Sequence, residues 1–138
     1  MGHIYAEIEL KNGVDMVEAI RGHIDPDLVR SIRVNALVDT GSYYTTINEN
    51  IQEYLGLPLL DRKRVQLADS QVAEYDVVGP LELRFHNRQV TCRAMVLPGD
   101  SEPILGVIAM EEMDVIIHPL RQELVIHPDH GEMGLLRL

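Results

Sequence analysis

The stretch Ala36-Leu37-Val38-Asp39-Thr40-Gly41-Ser42 carries the residue types in this chain best suited to chemistry. Small and branched apolar residues lead an acid to the end of a strand, and Thr, Gly and Ser follow at once. A carboxylate in such a place needs donors, or it takes up a proton. Gly41 permits close backbone approach with its amide aimed at Asp39, and the Ser42 hydroxyl is placed to donate to the outer carboxylate oxygen. Thr40 offers a hydroxyl that locks the turn against a neighbouring segment. The residues Asp39 to Ser42 also fit an ordinary polar turn at a strand end, so alone they leave both possibilities open.

Other reactive side chains point less clearly to a site. His127-Pro128-Asp129-His130 spaces two of the six histidines three apart, but the proline prevents a helical ligand pair. With a single cysteine and no acidic triad, no metal and no cofactor is expected; His118, His127 and His130 are read as turn residues. Cys92 alternates with Val90, Ala94 and Val96 as an inward strand residue, and no base is argued beside it. Ser42 lacks the Gly-x-Ser-x-Gly surroundings of a serine nucleophile. Glu111, Glu112 and Asp114 read as a solvated helix face, and Asp69 and Asp76 as exposed acids or cleft residues.

The elements that must position these groups show mostly a period of two. Ile4, Ala6, Ile8 and Leu10 alternate with Tyr5, Glu7 and Glu9 up to Asn12-Gly13. Val34–Val38, Val65–Ala68, Leu81–Phe85, Val90–Leu97, Val115–His118 and Leu124–His127 predict further strands. Turns are expected at Asp69-Ser70, Gly79-Pro80, His86-Asn87-Arg88, Pro98-Gly99-Asp100 and His118-Pro119. Helices are brief: Asp15–Ile20, Pro26–Val29 behind an Asp25 cap, and Val107–Met113. Another, capped by Asn48 and ended by Gly56, should turn Ile51, Tyr54 and Leu55 to one face. Short strands at this spacing predict a mainly β protein, a barrel or sandwich.

Composition narrows the function classes. The 138 residues suit one domain, 46% hydrophobic and 25% charged, with no repeat, linker or low-complexity stretch. Twelve basic residues against 22 acidic ones give −10, a field that repels nucleic acid and anionic lipid. The start Met1-Gly2-His3-Ile4-Tyr5-Ala6 does not read as a signal peptide, and no apolar run reaches the ~18 residues of a membrane span. One cysteine fits a reducing compartment. A cytoplasmic protein is expected.

Three motifs in order resemble the single-domain, retroviral-type (retropepsin-like) aspartic proteases, specifically their small bacterial and archaeal members. The first is Leu37–Ser42 followed by Thr46-Ile47 and a short helix ending Leu55-Gly56-Leu57. The second is Val65-Gln66-Leu67-Ala68-Asp69-Ser70-Gln71, where that family has its flap hairpin. The third is Ile104-Leu105-Gly106, an apolar-apolar-Gly motif followed by a helix and Asp114–Ile117. The resemblance spans about residues 4–128, leaving 129–138 as a C-terminal tail. Two departures stand out: Ser70 where flaps usually carry glycine, and the bulky pair Tyr43-Tyr44 after the motif.

The resemblance implies a small closed acid-protease-like β-barrel, one lobe per chain, paired as a twofold homodimer. It implies Asp39 as catalytic acid, Thr40, Gly41 and Ser42 as loop support, and Ala68, Asp69 and Ser70 as the flap over a peptide or protein substrate. Chain ends, with Leu135, Leu136 and Leu138, are expected to help join the subunits. The family's reaction is hydrolysis by water held between two aspartates that share a proton. One Asp-Thr-Gly motif per chain then requires the second Asp39 from a symmetry-related copy. The alternative is a dimeric peptide-binding or assembly module that keeps the fold and has lost efficient hydrolysis.

Overall fold

The computed structural model describes residues 2–138, so the reading of the chain start at Met1 falls outside the described residues. The chain runs β1 (Tyr5–Asn12), α1 (Gly13–Ile20), a 3-10 turn (Pro26–Leu28), β2 (Ser31–Val38), β3 (Thr45–Asn48) and α2 (Glu49–Leu55). It continues with β4 (Leu59–Gln66), β5 (Val72–Phe85), β6 (Arg88–Leu97), β7 (Ile104–Leu105), α3 (Val107–Met113), β8 (Val115–His118) and β9 (Glu123–Ile126). It is mainly β, as its alternating pattern predicts. Among the described residues no helix is long and apolar enough to cross a membrane.

Seven strands pair in the order β1-β2-β7-β3-β6-β5-β4, and β1 also pairs with β5. Six of them thus close into a ring of hydrogen-bonded neighbours, with β4 outside it as an edge. The alternation in β1 turns Ala6, Ile8, Leu10 and Asn12 inward, where they meet Ala36, Leu55, Leu81, Leu83 and Leu105 in the buried core. Asn12 is buried with them because both ends of its amide are used. Its Nδ2 donates to the Leu55 carbonyl at 2.8 Å, and its Oδ1 accepts the Asp15 amide at 3.0 Å, capping α1. That cap starts α1 at Gly13, two residues before the expected point.

Gly79-Pro80 corrects the expected turn: it lies inside β5. Proline has no N–H, so the ladder skips a step there, and the register with β6 shifts between Val78 and Leu81. On one side of that bulge β5 pairs with β4, and on the other, from Leu81 to Arg84, with β1. The bulge is where the strand leaves one neighbour for another, which closes the ring and releases the β4–β5 hairpin. β4 starts at Leu59 rather than Val65, hidden in the sequence by the charged run Asp61–Arg64 on a mostly exposed edge. β3 escaped the pattern for the opposite reason: all four of its residues are buried, so nothing alternates.

α2 has the expected Asn48 cap, whose Oδ1 accepts the Ile51 amide at 2.8 Å, and Gly56 ends it with φ of 61°. Ile51 and Leu55 are buried, whereas Tyr54 faces solvent, because the core contact of this two-turn helix is narrower than its apolar residues suggest.

Candidate active site

Asp39 follows directly on β2, whose last residues lie parallel to β7, Leu37 opposite Ile104 and Val38 opposite Leu105. The Asp39 amide donates to the Leu105 carbonyl at 3.2 Å, so the ladder positions the acid's backbone. The Gly41 amide donates to Asp39 Oδ1 at 2.9 Å, and the Ser42 amide to the Asp39 carbonyl at 3.1 Å. A Cβ on Gly41 would stand 3.2 Å from that same Oδ1, so the missing side chain is what allows the amide to reach it. Asp39 is half-buried.

The apolar-apolar-Gly motif clamps the loop after Asp39. Val107 and Ile108 amides at the start of α3 donate to the Ser42 and Tyr43 carbonyls at 2.8 and 3.4 Å. Thr45 Oγ1 accepts the Gly106 amide and Thr46 Oγ1 the Ile104 amide, each at 3.2 Å. Thr46 belongs to the first motif as read from the sequence, whereas Thr45 does not; its place beside Thr46 was the available signal. The first and third motifs, 60 or more residues apart in places, therefore form one unit: the Gly106–Thr45 bond alone spans 61 residues.

Two details differ from expectation. The Ser42 hydroxyl donates to the Tyr44 carbonyl at 3.0 Å and not to Asp39, because the tight turn brings that carbonyl round to it. Thr40 is exposed, and its hydroxyl makes no hydrogen bond among the described residues.

Ala68, Asp69 and Ser70 occupy the exposed tip of the β4–β5 hairpin. Leu67 donates its amide to the Gln71 carbonyl at 2.8 Å, Ser70 its amide to the Leu67 carbonyl at 2.9 Å, and Asp69 Oδ1 accepts the Gln71 amide at 3.0 Å. This is a three-residue hairpin whose last loop position demands left-handed backbone, and Ser70 adopts it at φ 68°. Arg62 braces the stem with a 2.6 Å bond to Asp76. Asp76 is thus a stem ion pair. No hydrogen bond joins the tip to the Asp39 loop among the described residues.

Asp114 corrects the solvated-face reading. It is the left-handed cap of α3, with φ of 57°, and its Oδ2 takes His130 Nδ1 at 2.6 Å and the Leu135 amide at 2.9 Å. The Leu135 amide, then His130 and the charge of His127, hold its carboxyl below the ordinary value. Glu111 and Glu112 are exposed, as expected. His127 stacks on His130 with ring centres 3.6 Å apart, and His118 Nδ1 accepts two amides in the β8–β9 turn. Arg88, buried without any sequence signal, donates to the Gly131 and Glu132 carbonyls at 2.9 Å and ties the tail down. Cys92 packs against the core, and burial, then the charges of Glu82 and Glu112, push its thiol up to about 12. At that value it stays protonated and is a poor nucleophile.

A family model described as aspartyl protease matches residues 27–111, more than half of the chain. The chain belongs to the retropepsin-like aspartyl protease family. The matched span of this aspartyl protease family member contains Asp39, the hairpin tip and the Gly106 clamp; β1, α1, β8, β9 and the tail lie outside it. Compared with curated proteins, the chain finds no match.

Proposed function

We propose that this family member is an aspartic endopeptidase that acts as a homodimer, with Asp39 of each copy forming the catalytic dyad. The observation that carries the proposal is the Asp39 carboxylate itself. One oxygen is held by the Gly41 amide, and the half-buried acid stands at the end of a backbone clamped from Leu105 to Ile108. A single acid cannot act as base and acid toward one water and one peptide carbonyl in the same step. A twofold axis beside Asp39 supplies the second carboxylate, and proximity makes the two share a proton. One then takes the proton of the attacking water while the other donates to the carbonyl oxygen. In this arrangement the ring of six strands is the barrel of one lobe, the exposed Thr40 hydroxyl meets the partner's loop, and the β4–β5 hairpin covers the peptide. The exposed Leu135, Leu136 and Leu138 are available to the same interface.

A second reading, a dimeric peptide-binding module without efficient turnover, is favoured by the non-glycine tip at Ser70. One experiment separates them. Asp39→Asn should fold and dimerise yet hydrolyse nothing in a peptide-library assay where the wild type cleaves. Wild-type chains exchanged with excess Asp39→Asn chains should lose activity as mixed dimers form. Activity that stays proportional to wild-type chains after complete exchange overturns the shared dyad, and a wild type that binds but never cleaves selects the binding module.

A further inference from the structure

A pocket of about 420 Å³ lies between α3 and the β5–β6 side of the ring, and Asp39 is not among its lining residues. Leu60, Pro80, Val90, Ile108 and Ala109 supply apolar walls, and Tyr43 and Tyr44, just after the Asp39 motif, stand at its edge. Leu60, Ile108 and Tyr43 are all well exposed, so within the chain this apolar surface is open. The Cys92 thiol adds a neutral wall. Thr45 and Thr91 add hydroxyls, and the two charged residues in the lining are Arg93 and Glu112. Both are exposed, and neither forms an ion pair among the described residues. The volume lies within the range of small-ligand sites.

From that lining we infer that the pocket binds a short apolar peptide with free ends, two or three residues long. The apolar body fills the walls, the terminal carboxylate meets the Arg93 guanidinium, and the terminal ammonium meets the Glu112 carboxylate. A fatty acid satisfies only Arg93, because it brings a carboxylate without an amine. Peptide hydrolysis generates fragments with both free ends, so on the proposed function this is a product site; that last step rests on the proposed function, whereas the binding does not.

The test therefore uses full-length protein carrying Asp39→Asn, so that no result depends on turnover. Leucyl-leucine is titrated and amide resonances are followed by NMR, with N-acetyl-leucyl-leucinamide as the blocked control. Saturable shifts are expected at Tyr43, Cys92 and Ile108. The blocked peptide should bind about tenfold or more weaker, and Arg93→Gln and Glu112→Gln should each weaken leucyl-leucine about tenfold. Both substitutions are on exposed side chains, so the fold is retained. Absence of saturable binding at millimolar peptide, equal affinity for the blocked form, or shifts confined to Ala68–Ser70 would each overturn the inference.

Discussion

A Cβ atom on Gly106 would stand 2.5 Å from the Tyr44 carbonyl carbon and 2.6 Å from its oxygen. Two stretches of backbone touch there, and neither can withdraw, because Gly106 donates to Thr45 and the next two amides hold Ser42 and Tyr43. Gly106→Ala should accordingly cost about 2–3 kcal/mol, at the upper end of overpacking penalties. Urea unfolding measures that loss. Peptide cleavage should fall further than the lost folded fraction explains, since relief of the clash moves the loop behind Asp39.

Ser70→Gly tests the hairpin tip. A left-handed L-residue is strained by about 1–2 kcal/mol. Glycine removes that strain but gives the unfolded chain about 0.4–1 kcal/mol of extra freedom. These opposing effects leave a net stabilisation of about 0–1.6 kcal/mol. Turnover should change more than the unfolding midpoint does, with KM and kcat measured on one peptide substrate. A midpoint shift with unchanged kinetics would separate the tip from substrate handling.

Acid should release the tail. The Asp114 carboxyl is held below its ordinary value by the Leu135 amide and by His130 and His127. Its contribution to stability is therefore fully present above the ordinary carboxylate value of about 3.9, and is lost as pH falls through the lower folded value. Exchange of the Leu135 amide, corrected for its intrinsic pH dependence, should accelerate across that window. Asp114→Asn tolerates the left-handed backbone and keeps an acceptor, so it isolates the charge. It should loosen the tail already at neutral pH and flatten the acid dependence.

Asn12→Ala should destabilise the fold by about 2 kcal/mol. It removes the α1 cap and leaves the Leu55 carbonyl without its donor in the core. Thermal or urea unfolding reads the loss, and cleavage by the remaining folded protein should be unchanged, since Asn12 lies at the opposite end of β1 from the residues that pair beside Asp39.

The order of residues alone determined what depends on near neighbours. Alternation placed β1, β6 and β8, Asn48 and Gly56 bounded α2, and Asp39-Thr40-Gly41 put an amide on the acid, a contact two residues long. The turn at Asp69-Ser70 was legible too, but its left-handed backbone at Ser70 followed from a loop length that only the paired strands set. What tertiary structure decided were competitions between partners distant in sequence. Ser42 was expected to donate to Asp39, and the turn brought the Tyr44 carbonyl to it instead. Gly79-Pro80 looks like a turn in isolation, yet β4, β6 and β1 on either side hold it within one strand. Asp114 shares the charge of Glu111 and Glu112, but the returning tail supplies donors only to Asp114. A local pattern states what a residue can bond to; which bond forms depends on groups that only the folded chain brings within 3 Å.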